Sequence, residues 1–247
     1  MEYDRRYIVV GDVHGNWRDT EVLLEKAQYQ PAQDVLIFVG DYNDHLPYPE
    51  FSVRKLIDQL LEIHHQAPAS TFFIRGNHDL WFAEWLRLGG MPPEIWYIQG
   101  GRETLASYGI MSSGHLTSTD EKVPRSHKDF ICSCVDQYYL DENVVVIHGG
   151  FTTEHQMERV SKGEQLHPGD LERIVWDRYF MFSENEAAHA HYHKYFGDRY
   201  LITGHTPEGP YVNPCNSKWI LVNAASRGER LCAVLLESDA DYSFLYA

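Results

Sequence analysis

Positive charge is scarce in this chain of 247 residues: 21 Lys and Arg stand against 36 Asp and Glu, a formal net charge of −15. That imbalance argues against a broad nucleic-acid footprint and against an anionic membrane surface, both of which call for a basic face. It also disfavours anionic substrates, unless bound cations reverse the field locally. Cysteine is rare, with only Cys132, Cys134, Cys215 and Cys232, and no second pair completes a zinc-type spacing. Reduced thiols in a cytoplasmic protein are therefore expected. Long apolar runs are missing as well. Met1 to Arg6 offers no signal-peptide core, and no later run approaches a membrane span. There is no internal repeat, low-complexity tract or linker, and the sequence gives no oligomeric state.

Five short pieces of the chain each follow an apolar, β-type run and end it in residues that bind metal ions. They are Gly11-Asp12-Val13-His14-Gly15, Gly40-Asp41-Tyr42-Asn43-Asp44, Arg75-Gly76-Asn77-His78-Asp79, His148-Gly149-Gly150 and Gly204-His205-Thr206-Pro207. The runs before them are Tyr7 to Val10, Val35 to Val39, Thr71 to Ile74, Val144 to Ile147 and Tyr200 to Thr203. Buried strands that end at Gly turns place their last side chains along one rim of a sheet. Asp, His, Asp, Asn, His and His on one rim form a ligand set for two divalent cations. A single Gly-Asp or Asn-His would be an ordinary turn; five in succession are not.

Strands alternate with helical patterns, which predicts an α/β or α+β layered fold with parallel crossovers. Asn16 is placed to cap a helix through Val22, Leu23 and Ala27. Val53, Leu56, Ile57, Leu60 and Leu61 repeat at helical spacing. Leu80, Trp81, Ala83, Trp85, Leu86 and Leu88 predict a helix ended at Gly89-Gly90, with Pro92-Pro93 beyond. Phe130, Ile131, Cys134, Val135 and Tyr138 predict another, after a loop from Ser112 to Arg125. Further helices are expected over Leu171 to Phe182 and Glu184 to Phe196. Strands follow at Trp219 to Val222, Leu231 to Glu237 and Tyr242 to Tyr246, with a hairpin-like turn at Arg227-Gly228-Glu229. The length suits one domain, residues 1–247, in which residues 91–141 carry no site motif and form an accessory or cap-like region.

The motif order, from Asp12 to His205, resembles the calcineurin-like metallophosphoesterases. More narrowly it resembles the phosphoprotein phosphatases of bacteria and bacteriophages, relatives of the symmetrical dinucleoside tetraphosphatases. The resemblance implies a four-layer fold, two mixed β-sheets sandwiched by helices, with the site at the C-terminal ends of the strands. It implies that Asp12 and His14 hold one metal ion, that Asp41 bridges, and that Asn77, His148 and His205 complete the second. Imidazole mixed with hard oxygen suits manganese first, with iron or zinc as alternatives. A hydroxide between the ions would attack phosphorus, with His78 as general acid paired to Asp44. By the same resemblance Arg75 and Arg178, the latter in Trp176-Asp177-Arg178, are phosphate ligands. Asp79 stands where Glu is frequent and is expected to position its turn. In one departure, His45 follows Asp44 where the family places an arginine. A protonated His45 could replace that phosphate ligand, so His45→Arg is expected to raise turnover.

The function implied is phosphomonoester hydrolysis on phosphoserine, phosphothreonine or phosphotyrosine. Hydrolysis of dinucleoside polyphosphates is the alternative. A phosphodiesterase is disfavoured because Thr206-Pro207 follows His205 where those enzymes continue to a second His, and a non-catalytic phosphate-binding protein because no metal ligand is lost. Partners are thus phosphorylated protein or nucleotide substrates. His189, His191 and His193 alternate in a predicted helix, where i and i+2 do not share a face, so no metal site is expected there. Trp81 and Trp85 are expected in the core.

Overall fold

A computed structural model of the chain describes residues 2–31, 33–45, 48, 50–88, 93–110, 122–207, 209–222, 230–238 and 241–247. The expected turn at Arg227-Gly228-Glu229, the helix stop at Gly89, Gly90 and Pro92, and most of the Ser112–Arg125 loop lie outside the described residues.

Strands β1 (Glu2–Val10), β2 (Val35–Phe38) and β3 (Thr71–Phe73) run parallel, in the register Ile8–Leu36–Thr71. Strand β9 (Cys232–Ser238) pairs antiparallel on the other side of β1 and β10 (Asp241–Tyr246) pairs antiparallel with β9, giving the order β10-β9-β1-β2-β3. The second sheet has the order β4-β5-β6-β8-β7, from β4 (Tyr139–Leu140), β5 (Val144–Val146), β6 (Tyr200–Thr203), β7 (Tyr211–Val212) and β8 (Trp219–Leu221). Its central three strands are parallel and its edge strands antiparallel, so both sheets are mixed.

Layering follows from the two-residue period of a strand. Val9, Ile37, Val39, Ile74, Val144, Val146, Ile202 and Ile220 pack together, so these faces of the two sheets meet each other. Their chain neighbours point the other way. Ile8, Val10, Leu36 and Phe38 pack on Leu23, Leu56, Ile57, Leu60 and Phe82 of α1 (Trp17–Lys26), α2 (Val53–Gln66) and α3 (Asn77–Leu88). Val145, Ile147, Leu201 and Trp219 pack on Met157, Val160, Ile174, Val175, Tyr192 and Phe196, outside the second sheet. The result is helix, sheet, sheet, helix: the four-layer metallophosphoesterase architecture expected, with strands buried on both faces and hence apolar throughout.

Local chemistry explains where elements begin. Asn16 Oδ1 accepts from Asp19 N (3.1 Å), so α1 starts directly after the first motif. Val22 on α1 is exposed, and Leu88 on α3 is 76% exposed; neither belongs to the core as expected. The helix expected over Leu171 to Phe182 divides. Pro at its first position starts α8 (Pro168–Trp176), α8 ends before an extended Asp177, and a 3₁₀ turn covers Phe180–Phe182. The helix expected to reach Tyr138 runs through α6 (Arg125–Asp129) and Phe130–Cys134 and ends there, because Val135 is extended and Ile74 and Asp136 form a parallel bridge beside β3. Helices α4 (Glu94–Trp96) and α5 (Arg102–Ser107) lie within residues 91–141, and Trp96, Leu105, Tyr108 and Ile131 share the apolar cluster of α2 and α3. Helices α7 (Glu154–Ser161) and α9 (Glu186–Phe196) cover the second sheet.

Candidate active site

The ends of β1, β2, β5 and β6 and the first turn of α3 converge on one buried cluster. Two groups of side chains each bring their ligand atoms within 4.8 Å of one another: Asp12, His14 and Asp41, and Asp41, His148 and His205. Asp41 belongs to both. Asn77 joins the second group through Oδ1, 3.0 Å from His148 Nε2. All six sequence-predicted metal ligands therefore meet in one place.

Tight backbone geometry makes the convergence possible. His14, Asp41, Asp44 and His205 have φ of 41°, 54°, 62° and 66°, a region that non-glycine residues seldom occupy. Such backbone is held by what surrounds it. Asp79, fully buried in the first turn of α3, accepts three backbone N–H groups: Asp41 N (2.9 Å) and Gly76 N (2.8 Å) at Oδ2, and Tyr42 N (2.9 Å) at Oδ1. It thus fixes the turn that carries Asp41, the positioning role expected of it. A Cβ at Gly76 would lie 2.0 Å from Asp41 Oδ1, and one at Gly204 2.1 Å from Asp12 Oδ1, so only glycine lets these carboxylates approach.

The imidazoles are oriented from behind. His14 Nδ1 lies 2.6 Å from the Asp44 carbonyl oxygen, and His148 Nδ1 lies 2.8 Å from that of Val39. A carbonyl only accepts, so each Nδ1 carries the proton and each Nε2 faces Asp41, at 3.6 and 3.3 Å. His205 N donates to Asp12 Oδ2 (2.9 Å), and Arg178 Nε donates to His205 Nε2 (3.1 Å).

Charge in the cluster is poised for cations. Burial raises Asp12 to about 8, and its Oδ1 is buried with no hydrogen-bond partner. Burial also works against ionised Asp41, but His148, His78 and His14 around it hold it below the usual carboxylate range. Burial and His148 push His205 down to about 3, and burial lowers His14, so both are neutral rings. Buried carboxylates, an orphaned carboxylate oxygen and the neutral rings of His14 and His205 belong to the donor set a pair of divalent cations requires; at His148 burial opposes the charge, but Asp41 and Asp12 raise the ring to about 9.

Beside the cluster His78 Nδ1 donates to Asp44 Oδ2 at 2.8 Å, and the His78 ring lies 5.2 Å from that of His14. Burial opposes a charged His78, yet Asp41 and the bonded Asp44 outweigh it and raise it to about 9. Two further residues hold Asp44. Trp96 Nε1 donates to Oδ2 (2.6 Å), and Thr104 Oγ1 donates to Oδ1 (2.6 Å) while accepting from Asp44 N (2.8 Å). Sequence reading missed both. They lie 52 and 60 residues from Asp44, and no local motif marks them.

The three sequence-predicted phosphate ligands part company. Arg178 stands at the cluster, on His205. Arg75 Nη2 donates to the Val135 carbonyl (3.0 Å), and Arg75 lines a cavity of about 420 Å³ with Leu80, Arg87, Ser133 and Leu171; among the described residues no hydrogen bond or ion pair joins it to the ligand groups. His45 is buried, its ring edge-on to Phe51 at 5.6 Å and beneath Gly15, where an added Cβ would meet Cδ2 at 2.8 Å. His189, His191 and His193 go separate ways, to the Ser183 carbonyl, Glu154 and Asp198.

The comparisons with known proteins agree with this geometry. The symmetrical bis(5'-nucleosyl)-tetraphosphatase of Coxiella burnetii is 34% identical over 98 residues, 39% of this chain and 30% of that one. The serine/threonine-protein phosphatase rdgC of Drosophila melanogaster is 24% identical over 200 residues, 72% of this chain and 26% of that one. The matched stretches thus span under a third of the length of either relative. In three dimensions a protein serine/threonine phosphatase from Saccharomyces cerevisiae superposes with a TM-score of 0.62 at 14% identity, over 99% of this chain and 80% of that one, which shows the shared fold. The family model for calcineurin-like phosphoesterases matches residues 5–209, the span that holds every residue of the cluster, and the chain belongs to that family.

Proposed function

We propose that the protein is a metal-dependent phosphomonoester hydrolase of the protein-phosphatase type. The observation that carries this reading is Asp41, shared between two ligand groups, with the His78–Asp44 pair beside them. One pair of divalent cations, best suited to manganese, would be held by Asp12, His14 and Asp41 on one side and Asp41, Asn77, His148 and His205 on the other; it would polarise the phosphate and lower the pKa of bound water.

The remaining steps belong to side chains. Arg178, exposed at the edge of the cluster, meets the phosphate oxygens with its free guanidinium nitrogens. His78 is oriented through Nδ1 by Asp44, which leaves the Nε2 proton for the leaving oxygen. In hydrolysis a water oxygen bonds to phosphorus as the P–O ester bond breaks. The leaving oxygen keeps the bonding electron pair and takes the His78 proton, and the water's surplus proton passes to solvent, giving phosphate and an alcohol or phenol. The net charge of −15 does not oppose this, since bound cations would set the sign of the field inside the cleft.

A second reading, hydrolysis of dinucleoside polyphosphates, is favoured by the tetraphosphatase relative at 34% identity. A manganese-supplemented panel of phosphopeptides and diadenosine tetraphosphate separates the two. Faster turnover of phosphopeptides is expected; preference for the dinucleotide would replace the first reading by the second.

A further inference from the structure

Four aromatic rings run without a break from the acid to a metal ligand. Trp81 lies one helical turn after His78 in α3 and meets its ring edge-on, with centroids 5.2 Å apart. Trp81 meets Trp176 at 5.0 Å, and Trp176 meets His205 at 5.7 Å with the ring planes at 90°. Neither neighbour lies flat on Trp176. The indole is 39% exposed at the end of α8, although Leu171, Ile174 and Val175 of the same helix are buried. Trp85, one turn beyond Trp81, is by contrast in the core as expected.

The chain is built to hold this indole at the cluster. A Cβ at Gly149 would lie 2.2 Å from the Ile174 carbonyl and one at Gly150 2.4 Å from Asp177 Oδ1, so the two glycines after His148 let the end of α8 close onto the metal ligands. Asp177 is extended (φ −72°, ψ 132°), and the two-residue period of extended chain sends Trp176 and Arg178 to the same side. Indole and guanidinium therefore flank the cluster together, both touching His205.

We infer that Trp176, backed by Trp81, is a specificity wall for phosphate esters whose leaving group carries a planar ring, aryl esters of the phosphotyrosine kind. The inference rests on the phosphomonoesterase reading and names its substrate class. The leaving oxygen that takes the His78 proton is the atom that bears the ring in an aryl ester, so the ring lies beside His78, where Trp81 and Trp176 stand. Flat π-faces in that position stack. The alkyl leaving group of a phosphoserine puts nothing flat there. A nucleobase is set off from the scissile phosphorus by its ribose and further phosphates, and reaches less readily to a wall that touches the ligands themselves.

The test uses the full chain loaded with manganese and two peptides that differ only in carrying phosphotyrosine or phosphoserine at one position. The wild type is expected to favour the phosphotyrosine peptide in kcat/KM. Trp176→Ala is expected to reduce that preference by roughly 5- to 150-fold, the range seen for loss of one stacking partner, and Trp176→Phe to keep most of it. An unchanged ratio in folded Trp176→Ala, or no wild-type preference, overturns the inference. Diadenosine tetraphosphate is the third arm: a Trp176-dependent rate there, with none on phosphotyrosine, would give the wall to a nucleobase and overturn the aryl assignment. Turnover of phosphoserine but not phosphotyrosine overturns the inference while sparing the phosphomonoesterase reading; turnover of no substrate overturns both.

Discussion

Trp96 Nε1 donates a 2.6 Å hydrogen bond to Asp44 Oδ2, the same oxygen that receives His78 Nδ1. The indole thus sets the carboxylate that sets the acid, from a helix with no motif of its own. A hydrogen bond to a charged group is worth about 1.5–3 kcal/mol. Trp96→Phe keeps an aromatic ring and removes the donor, and Thr104→Val removes the donor to Oδ1 together with the acceptor of the Asp44 N–H. Each is expected to slow hydrolysis of alkyl phosphates by roughly one to two powers of ten, and to slow p-nitrophenyl phosphate, whose leaving group hardly needs a proton, much less. Equal losses on both substrates would assign Trp96 and Thr104 a purely structural role.

Asp79 offers the second test. Asp79→Asn leaves one acceptor oxygen for three backbone donors, so the turn bearing Asp41 loses support. Manganese affinity is expected to fall about 10- to 100-fold, as for other groups that orient a ligand, with a stability loss of roughly 1–3 kcal/mol from unsatisfied buried N–H groups. Metal titration and thermal melting of the variant read the two effects separately. Wild-type manganese affinity in Asp79→Asn would show that the turn holds without it.

Stability of the metal-free protein is expected to fall as pH rises. His78 and His148 move from 6.5 to about 9, both against burial and both through Asp41, with Asp44 and Asp12 adding to it respectively. A raised pKa gives stability that is complete below the unfolded value and vanishes as pH passes the folded one, so both contributions disappear between about 6.5 and 9. Asp12, raised to about 8 by burial, acts in the same direction from lower pH. The combined loss is roughly a few kcal/mol. Melting curves in chelator from pH 6 to 9.5 should show it, and manganese should flatten the slope, because cations take up deprotonated ligands. A metal-free protein whose melting point rises toward pH 9 would contradict these charge assignments.

The meeting of Asp12, His14, Asp41, Asn77, His148 and His205 was legible in the sequence because each ends a buried strand or opens a helix next to glycine, so local pattern carried spatial meaning. The layers were legible for a related reason: Ile8 and Val9 differ only in which face of β1 they occupy, and strands buried on both sides read as continuous apolar runs. What stayed hidden depends on distance along the chain. Trp96 and Thr104 reach Asp44 only after the chain folds back, and Trp81, which helical spacing assigned to the core, packs partly buried against it and also joins His78 to Trp176. The end of α8 at Trp176 was hidden because the apolar pattern continues through Phe180 and Met181, while Asp177 breaks the helix by accepting from the Tyr179 and Phe180 N–H groups.

His45 shows how burial revises a residue-level expectation. The ring occupies packed space between Gly15 and Phe51. A longer guanidinium there overpacks its surroundings, so His45→Arg is expected to cost about 1–3 kcal/mol of stability and to bring no gain in turnover. A faster variant with an unchanged melting point would instead restore the phosphate-clamp role suggested by its place after Asp44.

The most direct test of the account is metal stoichiometry measured together with p-nitrophenyl phosphate hydrolysis, in the wild type and in Asp41→Asn. Because Asp41 belongs to both ligand groups, the wild type should bind two manganese ions per chain and be active only with them, and Asp41→Asn should lose tight binding of both ions along with the activity. One ion per chain, activity in chelator, or an active Asp41→Asn would contradict a shared-carboxylate centre.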